Sequence, residues 1–295
     1  MKKYEIKKAG IDFRFIPEIN NKGTREKRTV LDNNGNKAIF KYEMYDKSCS
    51  EACSEKLSYE IAKVLGYRCA HIELALDENN VLGILNYLFV DVHEEEHIDA
   101  IAYIKKNNQI REQFYTLKNI KKCLDMLNED LFYEFLKIMV FDALVGEQDR
   151  HEENWGITRK NRKYKLSPLY DNGCNLLREF YKKENAEKYY TGQKSFESYI
   201  KRSKTLIYKE DGSRYKHFEL IEELYKTYPN EITMEIKNLE KLSNTKIENI
   251  VNKIPDNIIT TKHKEYIINY IKIRKNCLLN IINGGIWKIW KISYG

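Results

Sequence analysis

The sequence has 295 residues, and 51 Lys and Arg against 44 Asp and Glu give it a formal net charge of +7. Hydrophobic residues make up 42% of the chain, which is enough for the core of one large domain or of two lobes. The basic excess is spread along the chain, which argues against direct nucleic-acid binding. The sequence has no CxxC pair, no apolar leader and no apolar run of bilayer length, which predicts a reduced, cytoplasmic protein without a transmembrane segment.

Two hairpins are predicted in the first ninety or so residues. Residues 28–33 and 36–43 form the first, and Asn34-Gly35 between them is a strong signal for a tight hairpin turn. Residues 67–76 and 81–91 form the second. This part of the chain is therefore expected to be a small sheet.

A helix is predicted between the two hairpins, beginning at about Ser48. Ser48 and Glu51 have the spacing of a capping box, in which each side chain satisfies a backbone N–H of the other. Gly66 is expected to end the helix. Residues at helical spacing form its apolar face, namely Leu57, Ile61, Val64 and Leu65.

After residue 92 the chain is predicted to be mainly helical, apart from one short hairpin. The main helix candidates are residues 111–128, 128–145, 217–228 and 261–282. The span from about residue 180 to residue 216 is polar and rich in Lys, Tyr and Ser, which predicts a mobile segment or one that a partner orders.

This order of elements predicts an α+β, bilobal protein-kinase-like fold. Its small β-rich N-lobe, with one key helix, is expected at residues 1–92. Its larger, mainly helical C-lobe is expected at residues 93–295 and carries the catalytic loop and the metal motif. A nucleotide would lie in the crevice between the lobes.

The most informative motif begins just after the predicted helix at 128–145. Asp149 and Asn154 lie in a polar loop, and Asp171 follows a short predicted hairpin that can bring it back to Asn154. Phosphoryl transfer needs a carboxylate to orient the attacking hydroxyl and hard oxygen ligands for magnesium. Asp149 suits the first task, and Asn154 and Asp171 suit the second.

Further candidates complete a nucleotide site. Gly23, Thr24 and Lys27 belong to a polar loop that can cover phosphates, since glycine permits close backbone approach and lysine pairs with phosphate oxygens. Lys41, on a predicted strand, is the candidate that grips the phosphates. Glu55 is the candidate that holds Lys41, with Glu51 and Glu60 as rivals. The adenine edge is expected to meet the backbone at Leu88, Phe89 and Val90.

Together these motifs resemble the HipA-like serine/threonine kinases. The sequence Asp149-Arg150-His151 with Asn154, followed by Pro168-Leu169-Tyr170-Asp171, is similar to that family's active-site signature. The resemblance covers roughly residues 20–280 and implies ATP with magnesium and transfer to a Ser or Thr hydroxyl of a protein. It implies Asp149 as catalytic base, Asn154 and Asp171 as metal ligands, Lys41 as phosphate lysine with Glu55 as its partner, and His151 as a hydrogen-bonding buttress of the loop.

The sequence departs from relatives of this kind in several places. Ordinary protein kinases place the histidine before the aspartate and use a DFG-type motif, where this chain has Tyr170-Asp171-Asn172. HipA toxins carry an extra N-terminal subdomain for which this chain looks too short. No obvious serine for self-modification stands near the phosphate loop. A toxin–antitoxin role and an antitoxin-like regulator are therefore left open.

Three other interpretations compete with a protein kinase. Phosphoinositide-type lipid kinases also use an Asp-Arg-His…Asn loop, and the basic aromatic tail at residues 286–292 could touch a membrane interface. A binding-only regulatory pseudokinase would lack metal-dependent nucleotide binding. His93-Glu94-Glu95-Glu96-His97 matches the HExxH pattern of zinc proteases, which requires both histidines on one helix.

Overall fold

The computed structural model describes residues 1–16, 26–43, 50–91, 94–105, 109–178 and 193–284. Within these ranges, the N-terminal lobe is built on a sheet of β1 (Ile6–Lys8), β2 (Phe13–Phe15), β3 (Lys27–Asp32), β4 (Lys37–Tyr42), β5 (Ile72–Leu76) and β6 (Leu82–Tyr87). The spatial order of its strands is β1-β5-β6-β4-β3-β2. Strands β1 and β5 are parallel, and the other neighbouring pairs are antiparallel.

Both predicted hairpins of this lobe are confirmed; β3 is shifted by one residue, and β4, β5 and β6 are shorter than the sequence suggested. Asn34-Gly35 lies in the turn between β3 and β4, where Gly35 has a φ of 83°. The two faces of β4 differ in what they meet. Phe40 is fully buried in a small core beneath the sheet, whereas Lys41 lies on the opposite face, toward the helix that follows.

That helix, α1 (Glu51–Leu65), begins later than the sequence predicted. The Ser48–Glu51 capping box is wrong, because Ser50 is the N-cap and its side chain accepts a hydrogen bond from the Cys53 N–H. The carboxylate of Glu43, the residue after β4, accepts from the N–H groups of Glu51 and Ala52 and so satisfies two donors of the first turn. Gly66 ends the helix in the left-handed conformation, as predicted.

The C-terminal lobe is mainly helical and surrounds α5 (Asp130–Val145), most of which is buried. The described helices around it are α2 (Ile101–Ile104), α3 (Arg111–Phe114), α4 (Leu117–Asp125), α6 (Gln193–Arg202), α7 (His217–Thr227), α8 (Pro229–Asn238), α9 (Asn244–Asn252) and α10 (Thr261–Ile282). The predictions of α5, α7 and α10 are confirmed, and the bounds of α10 are those read from the sequence.

Short strands add more sheet to this lobe than the sequence indicated. The predicted hairpin is confirmed as β8 (Gly156–Lys160) and β9 (Lys163–Leu166), and β7 (Glu96–Asp99) pairs with β8 along its other edge. The prediction of a mobile segment is wrong for residues 193–216, which form α6 and the hairpin of β10 (Lys204–Tyr208) and β11 (Arg214–Lys216). The earlier residues 179–192 lie outside the described ranges.

The single helix predicted at residues 111–128 is also wrong, since it is split into α3 and α4. The carbonyl of Tyr115 accepts a hydrogen bond from the Tyr208 N–H of β10, which draws the backbone out of the helix. The side chain of Thr116 then caps α4 by accepting from the Asn119 N–H. Long-range pairing therefore overrides a continuous helical pattern. No helix in the described ranges is both long and apolar enough to cross a membrane.

Candidate active site

The loop that carries Asp149 and Asn154 leaves α5 at Gly146. Gly146 has a φ of 73°, and a Cβ there would lie 2.0 Å from the Tyr270 hydroxyl, so only glycine fits. The Asp149 N–H donates to Glu147 Oε1 at 2.8 Å, and the amide nitrogen of Asn154 donates to the Asp149 carbonyl at 2.7 Å. That bond orients the Asn154 amide and leaves its Oδ1 as the atom that suits a cation.

Asp171 lies in a second loop, after β9, with an unusual backbone. Its φ is 53°, a left-handed conformation that costs a non-glycine residue free energy and is common at functional sites. Its Oδ1 lies 3.0 Å from Lys41 Nζ, and Glu55 Oε1 lies 3.3 Å from the same nitrogen. The Asn172 N–H donates to Glu55 Oε2 at 3.1 Å. Strand β4, helix α1 and this loop therefore meet around one ammonium group.

The two carboxylates that contact Lys41 differ in exposure. The Glu55 side chain is 4% exposed, whereas that of Asp171 is 44% exposed. Burial lowers the pKa of Lys41, but Glu55 and Asp171 outweigh this effect and hold it above the ordinary lysine value. Burial raises the pKa of Glu55, opposed by Lys41 and by the Asn172 N–H. Lys41 is therefore a firmly protonated cation at the edge of the cleft.

Lys27 lies beside Lys41 on the neighbouring strand. The two residues face each other in the register of β3 and β4. Burial and the charge of Lys41 lower the pKa of Lys27, and the charge of Asp171 raises it. The crevice next to them has a volume of about 20 Å³ and is lined by Lys41, Tyr42, Glu43, Glu51, Ala52, Glu55, Ile84 and Asp171. A larger cavity, about 250 Å³, contains none of the predicted site residues.

Beneath the loops lie buried polar residues that the sequence did not single out. The side-chain nitrogen of Asn175 lies 3.0 Å from Ser58 Oγ of α1 and 3.0 Å from Glu147 Oε2. Burial raises the pKa of Glu147 to about 8. Asn175 also donates to the nearby Asn172 carbonyl at 2.9 Å, but Ser58 and Glu147 are distant from it in sequence, so no local pattern could have revealed these two contacts.

His151 makes a hydrogen bond within its own loop, as the sequence suggested. Its Nδ1 accepts a hydrogen bond from the Glu153 N–H at 3.1 Å, within the same loop. The side chain of Asp149 contacts Cys174, whose thiol lies 3.5 Å from Asp149 Oδ2. The His151 N–H also donates to the Asp149 carbonyl, and the His151 carbonyl accepts from the Asn154 N–H.

The predicted adenine edge adjoins an aromatic cluster at the lobe junction. The ring of Phe89 stacks on Tyr170 at 5.5 Å and meets the edge of His97 at 5.3 Å. Val90 lies next to Phe89 and is half-buried. The cluster therefore lies one residue from Asp171.

The outcome differs among the remaining predicted residues. Gly23 and Thr24 lie outside the described residues, as do His93 and the tail at 286–292. His97 belongs to strand β7, so the helical zinc pair that HExxH requires is not formed. In the described part of the chain, no group of three or more His, Cys, Asp or Glu side chains is arranged to hold a metal.

The comparison with known families agrees with this geometry. A family model described as the HipA-like C-terminal domain matches residues 19–257, which is most of the chain. The protein belongs to this HipA-like family. The family assignment made from the two loop motifs is therefore confirmed.

One curated relative of this HipA-like protein is distant in sequence. The chain is 27% identical to the serine/threonine-protein kinase CtkA of Helicobacter pylori over 191 residues, which is 56% of this chain and 56% of CtkA. The match thus spans about half the length of that curated relative.

Two solved structures show the fold. The Helicobacter pylori proinflammatory kinase CtkA matches with a TM-score of 0.76 and 17% identity, covering 92% of this chain and 95% of CtkA. HipA of Shewanella oneidensis, solved with HipB and operator DNA, matches with a TM-score of 0.60 and 12% identity, covering 94% and 68%. The α+β, bilobal kinase-like fold is confirmed.

Proposed function

We propose that this HipA-like protein transfers the γ-phosphate of ATP, with a divalent metal such as Mg²⁺, to a Ser or Thr hydroxyl of a protein. The observation that carries the proposal is the position of Lys41, whose ammonium lies between Glu55 and Asp171 at the cleft. A phosphate-binding lysine needs a fixed position and a stable positive charge, and both are present here. The relative named a serine/threonine-protein kinase supports the reaction class.

Each candidate residue has a proposed task. Lys41 binds phosphate oxygens and is held by Glu55. Asp149 orients the acceptor hydroxyl and takes its proton. Asn154 Oδ1 and the Asp171 carboxylate are hard oxygen ligands that suit Mg²⁺, which neutralises phosphate charge when it is bound.

The remaining candidates would enclose the nucleotide. Gly23, Thr24 and Lys27 cover the phosphates, and the backbone at Phe89 and Val90 meets the base. A pocket for a ligand of this kind usually exceeds about 300 Å³. The crevice beside Lys41 is far smaller, so nucleotide entry requires it to widen.

The setting of the reaction is also proposed. The composition fits a cytoplasmic protein. HipA was solved with HipB and operator DNA, and by likeness an antitoxin-like protein is a candidate regulator of this chain. Direct DNA binding by this chain is not proposed, because its basic residues form no concentrated stripe in the sequence.

The test compares the wild-type protein with Asp149→Asn. Both are incubated with labelled ATP, Mg²⁺ and a soluble cell lysate, and modified residues are identified by mass spectrometry. We expect wild-type transfer to Ser or Thr and a rate lower by about 10²- to 10⁴-fold for Asp149→Asn, the usual contribution of a general base. The affinity for Mg–ATP should stay near that of the wild type, since Asp149 is not a proposed ligand.

Other outcomes would replace parts of the proposal. Transfer only to phosphoinositide vesicles would identify a lipid kinase. Failure of the wild type to bind Mg–ATP would favour a regulatory pseudokinase. An unchanged rate in Asp149→Asn would show that another group serves as the base.

A further inference from the structure

Arg150 lies between Asp149 and His151 in the chain, yet its side chain is buried, with 3% exposure. All five N–H groups of its guanidinium have an acceptor. Nε and Nη2 donate to the two carboxylate oxygens of Asp142 at 3.1 and 2.9 Å. Nη1 donates to the carbonyls of Asn154 at 3.0 Å and Tyr170 at 2.8 Å, and Nη2 donates to Asn172 Oδ1 at 2.5 Å.

These acceptors come from separate parts of the chain. Asp142 belongs to α5, the central helix of the lobe. The Asn154 carbonyl belongs to the catalytic loop, which we define as residues 147–154. The Tyr170 carbonyl and Asn172 belong to the metal loop, defined as residues 170–172. One planar group therefore joins a rigid helix to both loops.

The backbone of Arg150 is fixed as well. Its carbonyl accepts a hydrogen bond from the Tyr115 hydroxyl at 2.8 Å, and that hydroxyl accepts from Trp155 Nε1 at 2.8 Å. Both partners are buried aromatic residues. The guanidinium therefore has a fixed origin as well as fixed acceptors.

The contacts of Arg150 bear directly on the proposed metal ligands. The Asn154 carbonyl adjoins the Asn154 side chain, and Tyr170 and Asn172 flank Asp171. Because both carbonyls contact the same nitrogen, the guanidinium sets the separation of the two loops. A lysine cannot replace it, since an ammonium has three donors at a single point rather than five in a rigid plane.

We propose that Arg150 is a positioning residue that holds the catalytic loop and the metal loop together so that Asn154 and Asp171 can bind one divalent cation. The identity of the bound group rests on the function proposed above. The coupling of the loops rests on the contacts alone. Outer partners of this kind commonly change metal affinity by about 10- to 100-fold when they are lost.

The experiment must separate positioning from simple stabilisation of the fold. Removing Arg150 alone would leave the Asp142 carboxylate buried without a cation, which destabilises most folds. The double variant Asp142→Asn/Arg150→Met removes both charges with similar volumes and should fold. Arg150→Lys is the second variant, because it keeps a charge opposite Asp142 but cannot reach all the loop acceptors.

Arg274→Met is the matched control. Arg274 is another fully buried arginine of this lobe, and its guanidinium donates to the Ala143 carbonyl and the Tyr270 hydroxyl. The structure shows no hydrogen bond from it to either loop. It therefore tests what the loss of a buried guanidinium does when the loops keep their own partner.

Two measurements are made on each folded protein. The first is calorimetric binding of a non-hydrolysable ATP analogue at increasing Mg²⁺ concentration. We expect both Arg150 variants to raise the half-saturating Mg²⁺ concentration about 10-fold or more, with metal-free analogue binding unchanged. The second is hydrogen exchange without ligand, which should become faster in residues 149–154 and 170–172 together. Arg274→Met should change neither measurement.

The outcomes are distinguishable from failure of the proposed function. If the wild type binds no Mg–nucleotide, the proposed function fails, and coupled exchange of the two loops still supports the positioning role. If the folded Arg150 variants keep wild-type exchange in both loops, the positioning role is overturned. Wild-type Mg²⁺ dependence in those variants would overturn it equally.

Discussion

Two neighbouring groups of charged and polar residues differ in their exposure to solvent. The loop junction, consisting of Asp142, Arg150 and Asn172, is almost completely buried, and every guanidinium donor there has an acceptor. The cleft edge, consisting of Lys41, Glu55 and Asp171, is buried on one side only, since Asp171 is 44% exposed. The junction therefore satisfies the whole guanidinium, although the buried Asn172 amide nitrogen has no hydrogen-bond partner among the described residues, whereas the cleft edge faces solvent and potential ligands.

This difference decides which contacts can exchange. A buried ion cannot give up its partner without a large desolvation cost, so the junction is expected to stay intact whatever binds. The half-exposed contact between Lys41 and Asp171 contributes little net free energy, because solvent screens it. That contact can be replaced by phosphate on Lys41 and a metal ion on Asp171 at little cost.

The largest expected effect lies on the exposed side, in Asp171→Ala. Loss of a proposed ligand should abolish metal-dependent nucleotide binding and lower phosphate transfer by about 10²- to 10³-fold. The melting temperature should change little, because the side chain is half-exposed. Calorimetry with Mg–ATP and thermal melting measure the two effects.

Asp256→Ala is the control for this change. Like Asp171, Asp256 is an exposed carboxylate that pairs with lysine, in its case Lys3 and Lys264. The control variant should leave nucleotide binding unchanged. If Asp171→Ala instead unfolded the protein and kept its Mg²⁺ dependence, the contrast between the two groups of charges would be wrong.

A smaller effect is expected for Lys41→Met. Lys41 contacts both the buried Glu55 and the half-exposed Asp171. Turnover should fall by about 100-fold, the cost of misplaced phosphates. Stability should also fall, by about 1–3 kcal/mol, because buried Glu55 loses its cation. The double variant Lys41→Met/Glu55→Gln should regain stability but not turnover.

Urea unfolding and steady-state kinetics measure both quantities for the Lys41 variants. Lys37→Met is the control, since Lys37 lies on the same strand and is exposed. An unchanged turnover in Lys41→Met would move the phosphate lysine elsewhere, with Lys37 or Lys27 as the next candidates.

The sequence predicted the cleft edge better than the junction. Lys41, Glu55 and Asp171 were singled out because a lysine on a strand, a glutamate on a helix and an aspartate after a hairpin each have a local pattern. Asp142 lies inside an apolar helix, and only the folded chain shows that Arg150 lies against it. The roles of all these residues remain proposals.

Dependence on contacts between distant residues also explains the errors in the predicted fold. The hairpin at Asn34-Gly35 and helix α10 have strong local signals, and both were predicted. The break between α3 and α4 depends on the Tyr208 N–H, which donates to the Tyr115 carbonyl from far along the chain. The first turn of α1 depends on Glu43, the residue after β4, as well as on its cap Ser50. Neither contact has a signature at short range.

The smallest expected effect is a change in the pH dependence of stability, and it concerns the buried residues beneath the catalytic loop. His217 lies beneath the catalytic loop, where its Nε2 donates to the Glu147 carbonyl at 2.7 Å and its Nδ1 accepts from the Ser203 hydroxyl at 2.8 Å. Burial, with a contribution from the charge of Arg274, lowers the pKa of His217 to about 3. The folded protein therefore holds this histidine neutral.

The sign of the pH effect follows from this pKa. Below about pH 6.5 the unfolded chain binds a proton at His217, whereas the folded chain does not. The contribution of His217 to stability is therefore complete above that pH and is lost as the pH falls. The loss is about 1.4 kcal/mol for each pH unit down to the folded pKa. In His217→Gln this part of the acid dependence should be absent, although the variant is less stable at neutral pH.

Urea unfolding of the wild type and of His217→Gln, at about pH 7 and about pH 5, measures the difference in slope. The raised pKa of Glu147 gives an opposite slope, but it is common to both proteins and cancels in the comparison. His263→Gln, at the more accessible start of α10, is the control for exchanging a histidine for glutamine away from the layer beneath the catalytic loop. If His217→Gln loses stability in parallel with the wild type, the acid sensitivity arises elsewhere, and the layer beneath the catalytic loop is less dry than its contacts indicate.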